Sequence, residues 1–502
     1  MSVGRDPKIV LLCNILAFVA VGSKPNFVFF LTDDQDVLLN GMVPLTRTHF
    51  LLGLRGKTFT NAYVNTPICC PSRSTILTGK YAHNTGVVNN SIAGNCSSRY
   101  WQRHQEKHSL AANLKENEYV TFYAGKYLNA YGHKDAGGTK HVPKGYDWWI
   151  GLKGNSRYYN YTLSLNGSAK FFKDDYLTDV LTKYGKDFLK MRPRGNPFFM
   201  MLAPPACHAP FTPAKRHEHT FNGTKVVRNP AFNYTSSGKH WLVRMQPQQL
   251  PQNVSILDDI QRHRLQSLLA VDEMVKTIVE EVESAGEINN TYFIFTSDHG
   301  FHIGQFSLPW DKRQPYETDI RVPFLISGPS IPHNTTDDYP ISAVDLVPTI
   351  LDLAGTEIPN HADGVSFKQR LLEIGDEAQS YEKLILVEYW GEGNKKSIDD
   401  RCPWKEDGNL AECSKNAWCK CQDARNNTYI CVLQFSYSSR LKFCSFDDNQ
   451  SFVELYDLES DPYELDNLIS TITKHKIRDH HKILHKFRKC RGKRCHGIAH
   501  NL

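Results

Sequence analysis

Six short segments of this 502-residue chain concentrate residues that could do chemistry. TDDQD, at 32–36, sets Asp33 beside Asp34, and two carboxylates so close repel each other unless a cation sits between them. An acidic loop or a helix cap would explain that segment equally well. TSDHG adds Asp298, and three acids together offer the oxygen-rich donor set that a hard cation such as Ca²⁺ or Mg²⁺ takes. His299, beside Asp298, would be an atypical calcium ligand. TPICCPSRSTILTGKYAHN carries a nucleophile candidate, with Cys69 and Cys70 followed by Pro71, Ser72 and Arg73. AGKYLN, PPACHAP and SLPWDKR offer Lys126, His208 and Lys312. Taken singly, each would be a surface lysine or a satisfied histidine. Gathered in a pocket of low dielectric, they could neutralise charge that develops during a reaction.

These residues are far apart in sequence, so the fold must assemble them. PNFVFFLTDD, NPFFMMLAPPACH and TYFIFTSDHG each read as an apolar buried strand that delivers polar residues at its C-terminal end. Helical text such as HRLQSLLAVDEMVKTIVEEVES separates them. The pattern predicts an α/β fold with a mostly parallel sheet, in which ligand sites gather at the strand C-termini. Asp33, Asp34, His208, Asp298 and His299 should therefore be neighbours. From about residue 376, EKLILVEYW, NNTYICVLQFSYSS and SFVELYDLESDPYELDNL read as short antiparallel strands followed by a basic helical tail. The expected division is a leader at 1–22, a large domain at 23–375 and a small α+β domain at 376–502.

The segment from Cys69 to Lys80 resembles the signature of the sulfatase family, Cys-x-Pro-Ser-Arg followed at the expected gap by Leu77, Thr78, Gly79 and Lys80. Pro71 lies two after Cys69, so the match singles out Cys69 and leaves Cys70 in the variable position. The resemblance implies an alkaline phosphatase-like fold, with a large mixed sheet flanked by helices and a smaller C-terminal domain built on an antiparallel sheet. It also implies that Cys69 is oxidised to formylglycine (3-oxoalanine) by a formylglycine-generating enzyme during biosynthesis. The hydrated aldehyde carries two hydroxyls: one attacks sulfur and displaces the alcohol, and the other then expels sulfate. A thiol has no second hydroxyl to break down its adduct. One Ca²⁺ would be held by Asp33, Asp34, Cys69, Asp298 and His299. Arg73 would hold the modified residue, Lys126 and Lys312 would bind sulfate oxygens, and His208 would bind sulfate or protonate the leaving oxygen. Many family members have a histidine two residues after the first lysine, where this chain has Leu128.

Longer stretches, among them GQFSLPWDKRQ, DLVPTILDLAG and VEYWGEG, resemble the lysosomal exo-acting members that remove 6-sulfate from terminal N-acetylglucosamine or glucosamine of heparan and keratan sulfate. Alternatives are an endo-acting or other glycosaminoglycan sulfatase, a phosphatase of related fold, or a catalytically silent glycosaminoglycan-binding protein using the tail HKILHKFRKCRGKR. The basic start, the apolar run Ile9–Val21 and the small residues Gly22 and Ser23 form a signal-peptide pattern. Eleven Asn-x-Ser/Thr sequons fit the same lysosomal or secreted destination. Eight of the 13 cysteines fall at or after Cys402, which suggests disulfides in an oxidising compartment; CKC lacks the usual zinc spacing. The net charge of +6 suits a polyanionic substrate and gives no reason for a nucleic-acid partner. No later segment is long and apolar enough to span a membrane, and a homodimer is left open.

Overall fold

A computed structural model describes residues 24–245, 248–252, 254–373, 382–392 and 420–498. The expected leader at 1–22, the sequon at Asn253 and Cys402, Cys413 and Cys419 lie outside the described residues.

In chain order the first strands are β1 (Asn26–Thr32), β2 (Gly56–Tyr63), β3 (Val120–Lys126), β4 (Trp148–Leu152), β5 (Tyr161–Leu165), β6 (Ser168–Phe172), β7 (Phe198–Ala203) and β8 (Thr291–Ser297). A short pair, β9 (His302–Ile303) and β10 (Trp310–Asp311), follows. Next come β11 (Arg321–Ser327), β12 (Thr335–Asp337) and β13 (Ile341–Ser342), then β14 (Lys383–Tyr389), β15 (Tyr429–Ser436), β16 (Ser439–Phe446) and β17 (Val453–Asp457). The large sheet runs β12-β2-β11-β8-β1-β7-β3-β4-β5-β6, with β13 beside β2. Its centre is parallel: Phe29 of β1 lies opposite Met201 of β7 and Ile294 of β8. Antiparallel pairings of β11 and of β4-β5-β6 make the whole sheet mixed.

Every residue of β1 is buried, as a strand covered on both faces requires. Its alternation divides the core, with Phe27, Phe29 and Leu31 in one apolar cluster and Val28 and Phe30 in another. The principal helices are α1 (Cys69–Thr78), α2 (Leu177–Met191), α3 (Ser255–Ser284), α4 (Leu346–Leu353) and α5 (Lys474–Lys489). Helices α2 and α3 cover the Val28 face through Leu181, Phe188, Val275 and Ile278. Helices α1 and α4 cover the Phe29 face through Ile76, Leu77, Val347 and Ile350.

A second, antiparallel sheet has the order β14-β15-β16-β17. Strand β16, SRLKFCSF, has no counterpart among the expected strands because its charged and half-buried residues mask the alternation. One face of this sheet, with Ile385, Val387 and Leu433, joins the Phe29 cluster. The other, with Leu386, Val432 and Phe443, packs under Ile483, Leu484 and Phe487 of the expected basic helix, α5. The disulfides Cys431–Cys444 and Cys490–Cys495 lie in this region.

Candidate active site

The parallel strands end on one side of the sheet, and the chemistry collects there. Asp33 and Asp34 follow β1, His208 follows β7, Asp298 and His299 follow β8, and Lys126 is the last residue of β3. Consecutive residues of an extended strand point to opposite faces, yet Asp33 and Asp34 serve one site. Asp34 adopts φ 62°, a left-handed conformation that aspartate tolerates better than most residues. Arg264 of α3 fixes this turn by donating to Asp34 O (2.7 Å) and Asp36 Oδ1 (2.8 Å).

Cys69 opens α1, and all ten residues of that helix are buried. Pro71 is tolerated in the first turn because a missing N–H there loses no helical bond. Gly79 ends the helix with φ 66°, where glycine is the natural residue. Cys69 thus sits at the positive end of a helix dipole. Its thiol is fully buried. Burial alone would raise its pKa, but Lys126 and Lys312 outweigh burial and hold it well below the thiol range. Cys207, the other free cysteine among the described residues, is pushed up to about 12 by burial.

The acids and bases interlock. Lys126 Nζ donates to Asp33 Oδ2 (2.7 Å), and Lys312 Nζ donates to both oxygens of Asp34 (2.9 and 2.8 Å). Arg73 Nε donates to Asp298 Oδ2 (2.7 Å) and its Nη1 to Lys126 O (2.6 Å), with Nη2 3.6 Å from Asp33 Oδ1. His299 Nε2 lies 3.4 Å from Cys69 Sγ and 3.5 Å from Asp34 Oδ1. His208 Nδ1 is 2.6 Å from the carbonyl of Ala209, which leaves Nε2 available to the pocket. Burial opposes the charge on Asp34, yet Lys312 and the two histidines hold its carboxyl well below the usual range. Burial pushes Asp298 up to about 6 against the pull of His299 and Arg73. For His299 burial acts downward, and Asp298 with Cys69 lifts it to about 9.

The donor set fits a hard cation. Ligand atoms of Asp33, Cys69, Asp298 and His299 all lie within 4.8 Å of one another, as do those of Asp33, Asp34, Cys69 and His208. Lys126 and Ser156 both donate to Asp33 Oδ2, while Asp33 Oδ1 is buried without a hydrogen-bond partner among the described residues. An orphaned carboxylate oxygen aimed into such a cluster is the acceptor a cation would use. Arg73, Lys126 and Lys312 balance the three aspartates in formal charge, so a divalent ion would leave the pocket positive toward an anionic ester.

All the residues expected from sequence therefore converge, and the structure adds others. Ser156 Oγ donates to Asp33 Oδ2 (2.5 Å) from a loop without sequence signature. Cys70 forms a disulfide with Cys96, and its backbone N–H donates to Asn90 Oδ1 (2.8 Å). Ser72 Oγ holds Asp298 O (2.5 Å). The histidine absent beside Lys126 is not replaced at its own position, since Leu128 is fully buried in the core.

A buried cysteine at a helix N-terminus, faced by acids from the ends of parallel strands, is the arrangement of an alkaline phosphatase-like fold. The family profile described as Sulfatase matches residues 25–356. The chain belongs to the sulfatase family and is a sulfuric ester hydrolase. It is 45% identical over 504 residues to the human (Homo sapiens) N-acetylglucosamine-6-sulfatase, covering 98% of this chain and 90% of that protein. It is 35% identical over 431 residues to a putative extracellular sulfatase Sulf-1 homolog of Caenorhabditis elegans, covering 82% of this chain and 60% of the other. Among solved structures, a protein in complex with its substrate D-glucosamine-2-N,6-O-disulfate superposes with a TM-score of 0.71. It shares 23% identity over 93% of this chain and 98% of its own. No helix among the described residues is long and apolar enough to cross a membrane.

Proposed function

We propose that the protein removes the 6-sulfate of terminal N-acetylglucosamine or glucosamine in heparan- and keratan-sulfate chains, in the lysosome or after secretion. The 45% identity to human N-acetylglucosamine-6-sulfatase along nearly the whole chain carries this reading. The nucleophile is the hydrate of a formylglycine made from Cys69. One Ca²⁺, held by Asp33, Asp34, Asp298, His299 and the side chain of residue 69, would supply Lewis-acid polarisation of sulfate and nucleophile when bound.

The protein's own residues do the rest. Arg73 reaches Asp298, Asp33 and the Lys126 carbonyl together, so it fixes the carboxylates and the lysine-bearing strand as one unit. Lys126 and Lys312 stand ready to turn from their aspartates toward sulfate oxygens, where fixed cations in a dry pocket are most effective. His208 Nδ1 is engaged by the Ala209 carbonyl, which sets the ring so that Nε2 can pass a proton to the departing sugar oxygen. With Leu128 where the family resemblance leads one to expect a histidine, this duty falls on His208.

The deciding experiment pairs the mass of the tryptic peptide bearing Cys69 with sulfate release from N-acetylglucosamine 6-sulfate and from 3- and 4-sulfated hexosamines. An aldehyde at residue 69 and turnover confined to the 6-sulfate are expected. Turnover of the other esters alone would defeat the substrate assignment, and an unmodified thiol in active enzyme would defeat the nucleophile. Hydrolysis of N-acetylglucosamine 6-phosphate without hydrolysis of the 6-sulfate would support the phosphatase alternative.

A further inference from the structure

The segment Lys474–Arg494 holds ten lysines and arginines, four histidines and one acid, Asp479, while the whole chain carries only +6. The rest of the protein is therefore slightly net acidic, and the chain's excess of positive over negative charge comes from this single surface element. Helix α5 buries Ile483, Leu484 and Phe487 against the second sheet. That anchor sets the rotation of the helix. Lys474, Arg478, Lys482, Lys486 and Lys489 are all exposed, spaced by three or four residues and so aligned along one flank. At 1.5 Å per residue the row extends for about 22 Å.

The row continues into a rigid turn. Cys490–Cys495 closes a short loop that displays Arg491, Lys493 and Arg494, all exposed. Cys490 O accepts from Asn84 Nδ2 (2.9 Å), and Gly492 N donates to Asp363 Oδ1 (2.6 Å). The loop backbone is thus pinned to the body of the protein. Arg491 is close enough to Lys80 to help depress that lysine, after burial, so the field reaches the C-terminal end of α1. Helix α1, about 15 Å long over its ten residues, runs from Cys69 to this end.

We infer that α5 and the Cys490–Cys495 loop form a second binding surface for sulfated polysaccharide, distinct from the catalytic pocket and able to hold the chain beyond the residue being hydrolysed. A straight row of cations matches a linear polyanion. Nucleic acid fits less well, because the aromatic Phe487 is buried and offers no stacking platform. An anionic membrane also fits less well, because the apolar residues of α5 face the protein core rather than outward. The choice of sulfated polysaccharide among polyanions rests on the proposed substrate class, but the binding does not depend on turnover.

The test compares the wild-type enzyme with Arg491→Ala/Lys493→Ala/Arg494→Ala and with Lys474→Ala/Arg478→Ala/Lys482→Ala. Each is measured for heparin affinity across a salt series and for kinetics on both a monosaccharide 6-sulfate and a polymeric substrate. Each triple variant should lose roughly tenfold or more in heparin affinity, with the salt slope falling by about 2, as loss of three cation contacts implies. KM should rise for the polymer while kcat/KM for the monosaccharide is unchanged. A Lys→Arg version of the helix triple should restore heparin binding. Unchanged heparin affinity in both alanine variants would overturn the inference, as would binding to phosphatidylserine vesicles at least as strong as to heparin. If the monosaccharide 6-sulfate is not hydrolysed but heparin binding still depends on these residues, the surface stands and the catalytic reading falls.

Discussion

Replacing Ser156 with alanine should weaken metal binding without unfolding the protein. Ser156 is buried, its Oγ donates to Asp33 Oδ2 at 2.5 Å, and Lys126 donates to the same oxygen at 2.7 Å. These two donors hold the carboxylate so that Oδ1, which has no hydrogen-bond partner among the described residues, is left to the ligand cluster. A hydrogen bond to a charged group contributes about 1.5–3 kcal/mol, and supporting partners of metal ligands typically matter by about 10- to 100-fold in affinity. Ser156→Ala should therefore raise the Ca²⁺ concentration that half-restores activity to chelator-treated enzyme by about one to two orders of magnitude. Saturating Ca²⁺ should recover most of kcat. The matched control is Ser164→Ala, which removes a buried hydroxyl donating to Thr139 O (2.6 Å) away from the cluster and should lower Tm without moving the metal titration. Identical titrations for Ser156→Ala and wild type would refute the claim that this hydroxyl aims Asp33.

Further outcomes are expected. Chelator treatment should abolish sulfate release and lower Tm, and Ca²⁺ should restore both better than Zn²⁺, given three carboxylates in the cluster; full activity in metal-free enzyme would contradict this. His208→Ala should reduce kcat by about 10²–10⁴ on sugar sulfates, but much less on an aryl sulfate whose leaving group needs no proton; equal losses on both would remove His208 from proton transfer. Cys96→Ser opens a disulfide of sequence separation 26, for which chain entropy predicts a loss of about 3–4 kcal/mol, read by urea unfolding; an unchanged midpoint would show that other contacts fix the loop. Glu464 lies beside Lys442 and Glu317 between the two sheets, and burial pushes its carboxyl from 4.5 up to about 7. Since the folded value is the higher one, its stabilising contribution is complete below about pH 4.5 and is lost as pH rises through about 7. Tm should fall over that interval more in wild type than in Glu464→Gln, and parallel curves would disprove the assignment.

The sequence was legible where chemistry coincides with strand ends. Asp33, Asp34, His208, Asp298 and His299 could be brought together before any coordinates, because buried runs such as FVFFLT and FIFTS mark central parallel strands. The signature carried Cys69 and Arg73. Residues that act through one atom from a loop were not legible: Ser156 and Asn90 have no periodicity around them, and their partners lie 123 and 20 residues away. The pairing of Cys70 with Cys96 was equally hidden, since a cysteine's spacing does not name its partner. Strand β16 escaped because Arg440 is half-buried and the charged Lys442 is fully buried, where an apolar and polar alternation would otherwise show.

The strand β14 lies just past the point where composition suggests a new domain, yet it is stitched into the catalytic half. Glu388 N donates to Asn65 O (2.8 Å), and Asn65 Nδ2 donates back to Leu386 O (2.7 Å). A few residues on, Glu392 Oε1 accepts from Asn90 N (2.8 Å), and the side-chain oxygen of that same asparagine holds the N–H of Cys70 (2.8 Å). Two hydrogen bonds thus connect the segment after β14 to Cys70, the residue next to Cys69. A fragment cut at residue 375 would expose the apolar side of the Phe29 cluster and release the loop that braces α1. The two halves differ in appearance but share one apolar cluster and one chain of hydrogen bonds, so a lesion in the C-terminal sheet reaches the segment that carries Cys69.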